Sequence, residues 1–244
     1  MNTLFNHPSN AAETGNLFLT LSEKIYSIKE KHIPGKSSVP DARRVGLMNC
    51  YQFITSNVFI LNIVSKVEMG EINAGNFRKI INLEEGDLEE ALSDIFVLTK
   101  FNILPLIQFQ IENMLKNILL HLQPSNKIKG YYNICNALLK IVTINHKTEK
   151  LEELQIPAYI RNSLHSNGIH DNIRHQTPQI FIIDKVEFRF EHDCVINCAG
   201  HGHIYLSLDN TFNIIDEILG TTEIGSIKTE IKDNFSWDKK GIIL

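Results

Sequence analysis

The chain has little cysteine, no long apolar run and almost no net charge, and each shortage removes a class of protein. Four cysteines in 244 residues are too few for a disulfide-built scaffold, and Cys50 and Cys135 read as small core residues. No segment offers the roughly 20 consecutive apolar residues of a membrane-spanning helix, because Asn, Gln, Ser, Lys and Glu interrupt even the most apolar stretches. The opening MNTLFNHPSNAAETGN has no basic start followed by an apolar core. The expectation is therefore a cytoplasmic protein with neither signal peptide nor membrane partner. A formal balance of −4 supplies no basic field that would hold nucleic acid in bulk, so any such contact has to be local. A phosphate-cradling glycine loop is missing too, which disfavours a nucleotide sensor, and there is no internal repeat.

What is present is enough apolar material, 43% of residues, to fill a core at this length. Leu17, Leu21, Ile25 and Ile28 recur at steps of three and four, a helical period that ends before Pro34-Gly35. From Asp41 to Gly70 the pattern predicts one long amphipathic helix. Three glycines give the stretch from Gly70 to Gly86 a turn-like composition. A helix is then expected over DLEEALSDIFVLTKF, and another in which Pro105 occupies the first turn, continuing to the break at Gln123-Pro124-Ser125. Further helices follow Gly130 and Pro157, the latter closed by Asn167-Gly168 as a left-handed cap.

The pattern then changes. QIFIIDKVEFRFEHD and GHIYLSLD alternate apolar and polar residues and predict strands, after which Asp209 is expected to cap a last helix ending at Gly220. The predicted fold is thus mostly α: a multi-helix bundle with a small β-hairpin or meander inserted before the last core helix. Its organisation reads as an N-terminal helix and linker over 1–40, a helical domain over 41–220 carrying the β insertion at about 179–208, and a tail helix over 221–244 with Ile224, Ile227 and Ile231 aligned.

One cluster carries chemistry, Arg161-Asn162-Ser163-Leu164-His165. Residues four apart on a helix are neighbours, with Cβ atoms about 6 Å apart, so Arg161 and His165 share a face. A guanidinium donates paired hydrogen bonds to phosphoryl oxygens, and an imidazole of ordinary pKa about 6.5 gives or takes a proton. That division of labour requires no metal and no cofactor. The bland alternative is that Arg161 and His165 cap carbonyls or pair with Glu152 or Glu153.

In IRNSLHSNGIH the residues Arg161, Asn162 and His165, following several long helices, resemble the motif of the HEPN superfamily. Three residues separate arginine from histidine here, fewer than is usual in that family, and the β insertion is a second departure. The resemblance implies a HEPN-like helical bundle acting as a metal-independent endoribonuclease of the toxin or antiviral-defence type. RNA would be cleaved by its own 2′-hydroxyl, with His165 as general acid or base, Arg161 stabilising the phosphorane and Asn162 orienting the phosphate or the imidazole. It also implies a homodimer that brings two motifs across one cleft, and a partner protein encoded nearby. The competing reading is a noncatalytic helical module of similar shape that dimerises or docks.

Weaker signals lie elsewhere. Lys127, Lys129 and Tyr131 in NKIKGYYN could hold a backbone phosphate and stack a base, with His170 as a further RNA contact; the alternative is a helix start with core tyrosines. His192, Cys194, Cys198, His201 and His203 crowd together, but the spacing lacks a paired Cys-x2-Cys turn, and no metal site is expected there. Arg43 and Arg44 read as solvated.

Overall fold

The computed structural model describes residues 6–33, 40–81, 87–171 and 177–234. Helix α1 (Ala11–His32) starts where the Asn10 side chain accepts a hydrogen bond from the Glu13 amide at 2.9 Å, while Glu13 reaches back to the Ser9 amide at 2.8 Å. This reciprocal capping satisfies amides that the first turn leaves unpaired. Of its predicted stripe, Leu21, Ile25 and Ile28 are buried and Leu17 only partly, with Phe18 buried beside them; this side packs against α2 (Ala42–Glu68), the long helix expected from Asp41.

The start of α2 is more elaborate than its sequence suggests. Asp41 accepts from the Arg43 amide at 2.8 Å and from the Arg43 guanidinium at 3.0 and 2.7 Å. Both side chains are buried, so the solvated reading of Arg43 is corrected. The guanidinium is needed there because a carboxylate removed from water must be paired. Burial alone would raise the Asp41 carboxyl, but Arg43 holds it below its ordinary range.

Helix α3 (Ala74–Ile81) occupies part of the stretch read as turns. Helix α4 (Leu88–Leu122) then runs as one element through Pro105. This overturns the expected break, in which Pro105 stood in the first turn of a separate helix. An internal proline costs a helix about 3 kcal/mol, since it removes one N–H bond and crowds the carbonyl four residues back. Here that carbonyl belongs to Phe101, on an exposed part of the helix, where water can reach it. Burial of Ile103, Leu104, Ile107 and Ile111 around the proline outweighs the loss, at roughly 1.5–3 kcal/mol per large side chain.

Helices α2 and α4 are each long and apolar enough to cross a membrane by length and composition, and they pack on one another. They come into tight contact at Gly46, where a Cβ would lie 2.7 Å from that of Met114. Asn49 and Gln110 meet beside it at 2.9 Å.

Helices α5 (Tyr131–Ile141), α6 (Lys147–Glu153) and α7 (Ile156–His165) follow. Strand β1 (Ile169–His170) pairs antiparallel with β4 (Cys194–Val195), and β2 (Gln179–Ile183) forms a hairpin with β3 (Val186–Phe190). The hairpin turn, Asp184-Lys185, has φ of 48° and 69°, the left-handed pair that matches strand twist in a two-residue loop.

Strand structure ends there. Gly202 to Asp209, predicted as strand, lies inside α8 (His201–Gly220), and Asp209 caps nothing. The alternation of Ile204, Leu206 and Leu208 misleads because α8 is buried on most sides: Ser207, Thr211 and Phe212 are buried as well. A helix enclosed all round loses the amphipathic period that would identify it.

The tail also differs from expectation. Among the described residues of the tail only one helical turn, α9 (Thr222–Gly225), is formed, and beyond it Ile231 donates to the Asp41 carboxylate at 3.2 Å and accepts from the Ala42 amide at 2.8 Å. The last part of the predicted tail helix, 235–244, lies outside the described residues.

Candidate active site

Helix α7 is short and sharply bounded. Pro157 sits in its first turn, where the missing N–H is no loss. At the other end the Gly168 amide bonds to the Ser163 carbonyl at 2.7 Å, with Asn167 and Gly168 at φ of 53° and 83°. The helix therefore stops directly after His165, as the Asn-Gly pair predicts.

The two sides of α7 differ. Ile156, Ala158, Ile160 and Ser163 face the core. The Ser163 hydroxyl donates to the Tyr159 carbonyl at 2.9 Å and stands 3.2 Å from Nδ1 of His170. His170 is only 4% exposed, with Tyr159 and Phe190 at ring-centroid distances of 5.5 and 5.3 Å. Through this aromatic cluster the hairpin buttresses α7. His170 is thus a core histidine, and its assignment as an RNA contact is withdrawn.

Asn162 and His165 are exposed and Arg161 is half-buried. Arg161 donates through Nε and Nη2 to the Asn162 side-chain carbonyl, at 3.1 and 2.9 Å. That fixes the guanidinium plane and turns the Asn162 amide donors away from it. Burial lowers the Arg161 pKa, while Glu112 of α4 and Tyr131 of α5 act in the opposite direction. Glu112 is a neighbour from a distant part of the chain that no local spacing could announce. Neither Glu152 nor Glu153 forms an ion pair with Arg161 or His165 among the described residues, so the bland alternative does not take that form; Glu153 instead accepts from Asn210 at 2.9 Å.

Lys127 and Lys129 are exposed just before α5. Tyr131 is 7% exposed and its hydroxyl is buried without a hydrogen-bond partner; burial pushes its pKa well up. It cannot stack on a base, so that assignment is corrected. Its neighbour Tyr132, 51% exposed, is the ring available there. The signal that would have separated them is phase: position 131 belongs with the buried Ile134, Cys135 and Leu138 and 132 does not.

The Cys/His-rich segment does not gather into one centre. Cys198 is buried, its thiol pushed up to about 11 by desolvation, and it lies 3.8 Å from the Arg189 carbonyl. His201 stacks on Phe96 at 4.4 Å with Nε2 2.9 Å from the Thr99 hydroxyl, and burial pulls its pKa down to about 4. The His203 ring lies tilted against His7 at 4.4 Å and is likewise lowered by burial to about 4. Cys194 is exposed on β4.

An open cleft of about 780 Å³ lies apart from α7, around Lys31, His32, Thr143, Asn145 and Asp216. His32 and Lys31 both hold the Asp216 carboxylate there, at 2.6 and 2.9 Å, and keep it below its ordinary range despite burial. No residue of α7 lines it. The Lys31, His32 and Asp216 side chains in this cleft already satisfy one another.

Among known protein families, curated proteins and solved structures, none matches this chain significantly. The likeness to HEPN proteins therefore rests on Arg161, Asn162 and His165 and on the helical character of the fold.

Proposed function

We propose that the chain is a HEPN-like endoribonuclease of the toxin or antiviral-defence type, acting in the cytoplasm as a homodimer on RNA, without a metal at the cleavage centre. The observation that carries this reading is the joint position of the three motif residues. Asn162 and His165 are bare on one side of α7, and the Arg161 guanidinium is oriented by Asn162 rather than consumed by a carboxylate.

In the proposed reaction the 2′-oxygen attacks the adjacent phosphorus and its proton passes to one imidazole. The bond from phosphorus to the 5′-oxygen breaks, and that oxygen takes a proton from a second imidazole. The products are a 2′,3′-cyclic phosphate and a 5′-hydroxyl. One His165 per copy explains why two copies are required, and Arg161 neutralises the charge gathering on the phosphoryl oxygens.

The test is RNA cleavage by the purified protein in EDTA. Wild type is expected to cleave, and His165→Ala and Arg161→Ala each to lose at least about 100-fold. Uncleaved RNA with all three proteins overturns the proposal.

One observation favours the second reading, a noncatalytic docking module. Leu98, Phe101, Leu106 and Phe109 are exposed along α4, the kind of apolar strip that marks an interaction surface. Inactivity toward RNA together with a dimer that Phe109→Glu dissociates, followed by sedimentation, would establish that reading.

A further inference from the structure

We propose that Asp171, His192 and Asp193 form a binding site for a divalent transition-metal ion of the borderline class that Zn2+ typifies, separate from the proposed cleavage centre and independent of it. The three residues come from two places in the chain. Asp171 follows β1, and His192 and Asp193 occupy the turn between β3 and β4. Pairing of His170 with Cys194 brings the two together, and the Asp193 amide bonds to the His170 carbonyl at 3.0 Å.

Their donor atoms all lie within 4.8 Å of one another. Nδ1 of His192 is 3.8 Å from Oδ1 of Asp171, and Nε2 is 3.5 Å from Oδ2 of Asp193. Both separations exceed a good hydrogen bond, about 2.7–3.2 Å. An imidazole gives an ion one nitrogen, so only one of these separations can be an edge of the donor triangle; either is close to the spacing of about 3.4 Å between neighbouring donors around a tetrahedral ion with ligands at about 2.0–2.2 Å. A triangle with every edge at the 4.8 Å limit would put its corners about 2.8 Å from the centre, so the site closes on an ion by small side-chain rotations. Both aspartates are exposed and free to make that movement.

The donor set selects the ion. One imidazole nitrogen with two carboxylate oxygens suits Zn2+ or Mn2+, whereas Mg2+ and Ca2+ favour oxygen alone. The ion would also offset the repulsion between two carboxylates held this close. Water completes the coordination, so the site exchanges its ion with solvent. Bound, the ion fastens the β3–β4 turn to the residue after His170, the histidine that supports α7 through Ser163.

An ion pair of His192 with the two aspartates is the competing explanation and predicts no saturable metal binding, whereas a metal site weakens as the pH falls because protons compete for its ligands. The full chain is stripped with EDTA, the chelator is removed, and Zn2+ is titrated calorimetrically at about pH 7.5 and about pH 5.5, with Mg2+ as contrast. Expected are one saturable Zn2+ per chain, no comparable binding of Mg2+ and at least tenfold weaker Zn2+ binding at the lower pH. His192→Ala should abolish binding, and the isosteric, exposed Asp171→Asn should weaken it at least tenfold with unchanged metal-free melting. Absence of saturable Zn2+ binding overturns the proposal, as does binding that survives both substitutions. No RNA enters this experiment, so its failure leaves the cleavage reading untouched.

Discussion

Histidines sit at the end of α7 and at the start of α8, and the two helix ends treat them in opposite ways. At the start of α8 the His201 ring lies between Phe96 and Thr99 and is held neutral, with a pKa of about 4. At the end of α7 His165 stands in solvent beside Asn162, one turn from a guanidinium. Residue type is the same, and the difference lies in what the opposite side of each helix must bury. Helix α8 is enclosed on most sides, so His201 is a core residue. Helix α7 buries only one side, which leaves its polar row available for chemistry. His170 sharpens the contrast, since five residues beyond His165 it is already part of the aromatic core.

The largest effect that could break this comparison is catalytic. His165→Ala should lower RNA cleavage at least about 100-fold while leaving the melting temperature close to wild type, because an exposed side chain makes little packing. Cleavage kept at wild-type rate would show that His165 is no more chemical than His201.

Next in size is acid stability. A His201 pKa near 4 in the fold, against about 6.5 in the unfolded chain, means that only the unfolded state takes up the proton between those values. Above pH about 6.5 both states are neutral and nothing is lost. As the pH falls from there toward 4, unfolding is favoured by up to about 3 kcal/mol. Denaturant titrations across that range should show the decline, and His201→Gln should reduce it, leaving the share of His203, which burial also lowers to about 4. An unchanged slope in the variant would mean that the α8 histidine is not the group responsible.

Packing and polar contacts come below that. Gly46→Ala drives a methyl group onto Met114 and is expected to cost about 1–3 kcal/mol in chemical denaturation, as overpacking does. It tests the α2–α4 contact without touching either histidine-bearing end. The smallest effect expected is from Ser163→Ala, which removes the hydroxyl beside His170 and should cost about 1 kcal/mol. If instead it cost nothing, the dry side of α7 would depend on its aromatic rings alone.

How much of this was legible in the sequence follows from how local each determinant is. The bounds of α7 were readable because Pro157 and Asn167-Gly168 act on their own backbone. Long amphipathic helices such as α2 were readable for the same reason. The start of α8 was not, since Ile204, Leu206 and Leu208 alternate like a strand and only enclosure by other helices decides between the two. Pro105 misled because the packing that overrides a proline comes from residues far along the chain. At the site, Arg161, Asn162 and His165 were visible as a cluster. The burial of Tyr131 was legible in its helical phase with Ile134 and Leu138, whereas Glu112 beside Arg161 and the approach of Asp171 to His192 depend on tertiary contacts that no spacing encodes.

The clamp at the start of α2 has a consequence in time. Asp41 accepts a further bond from Ile231, 190 residues further on, so during synthesis the first turn of α2 has Arg43 alone to pair its carboxylate until Ile231 has left the ribosome. A segment that emerges late is thus the one that completes the start of α2, and a chain cut short before Ile231 would lack the amide that finishes it.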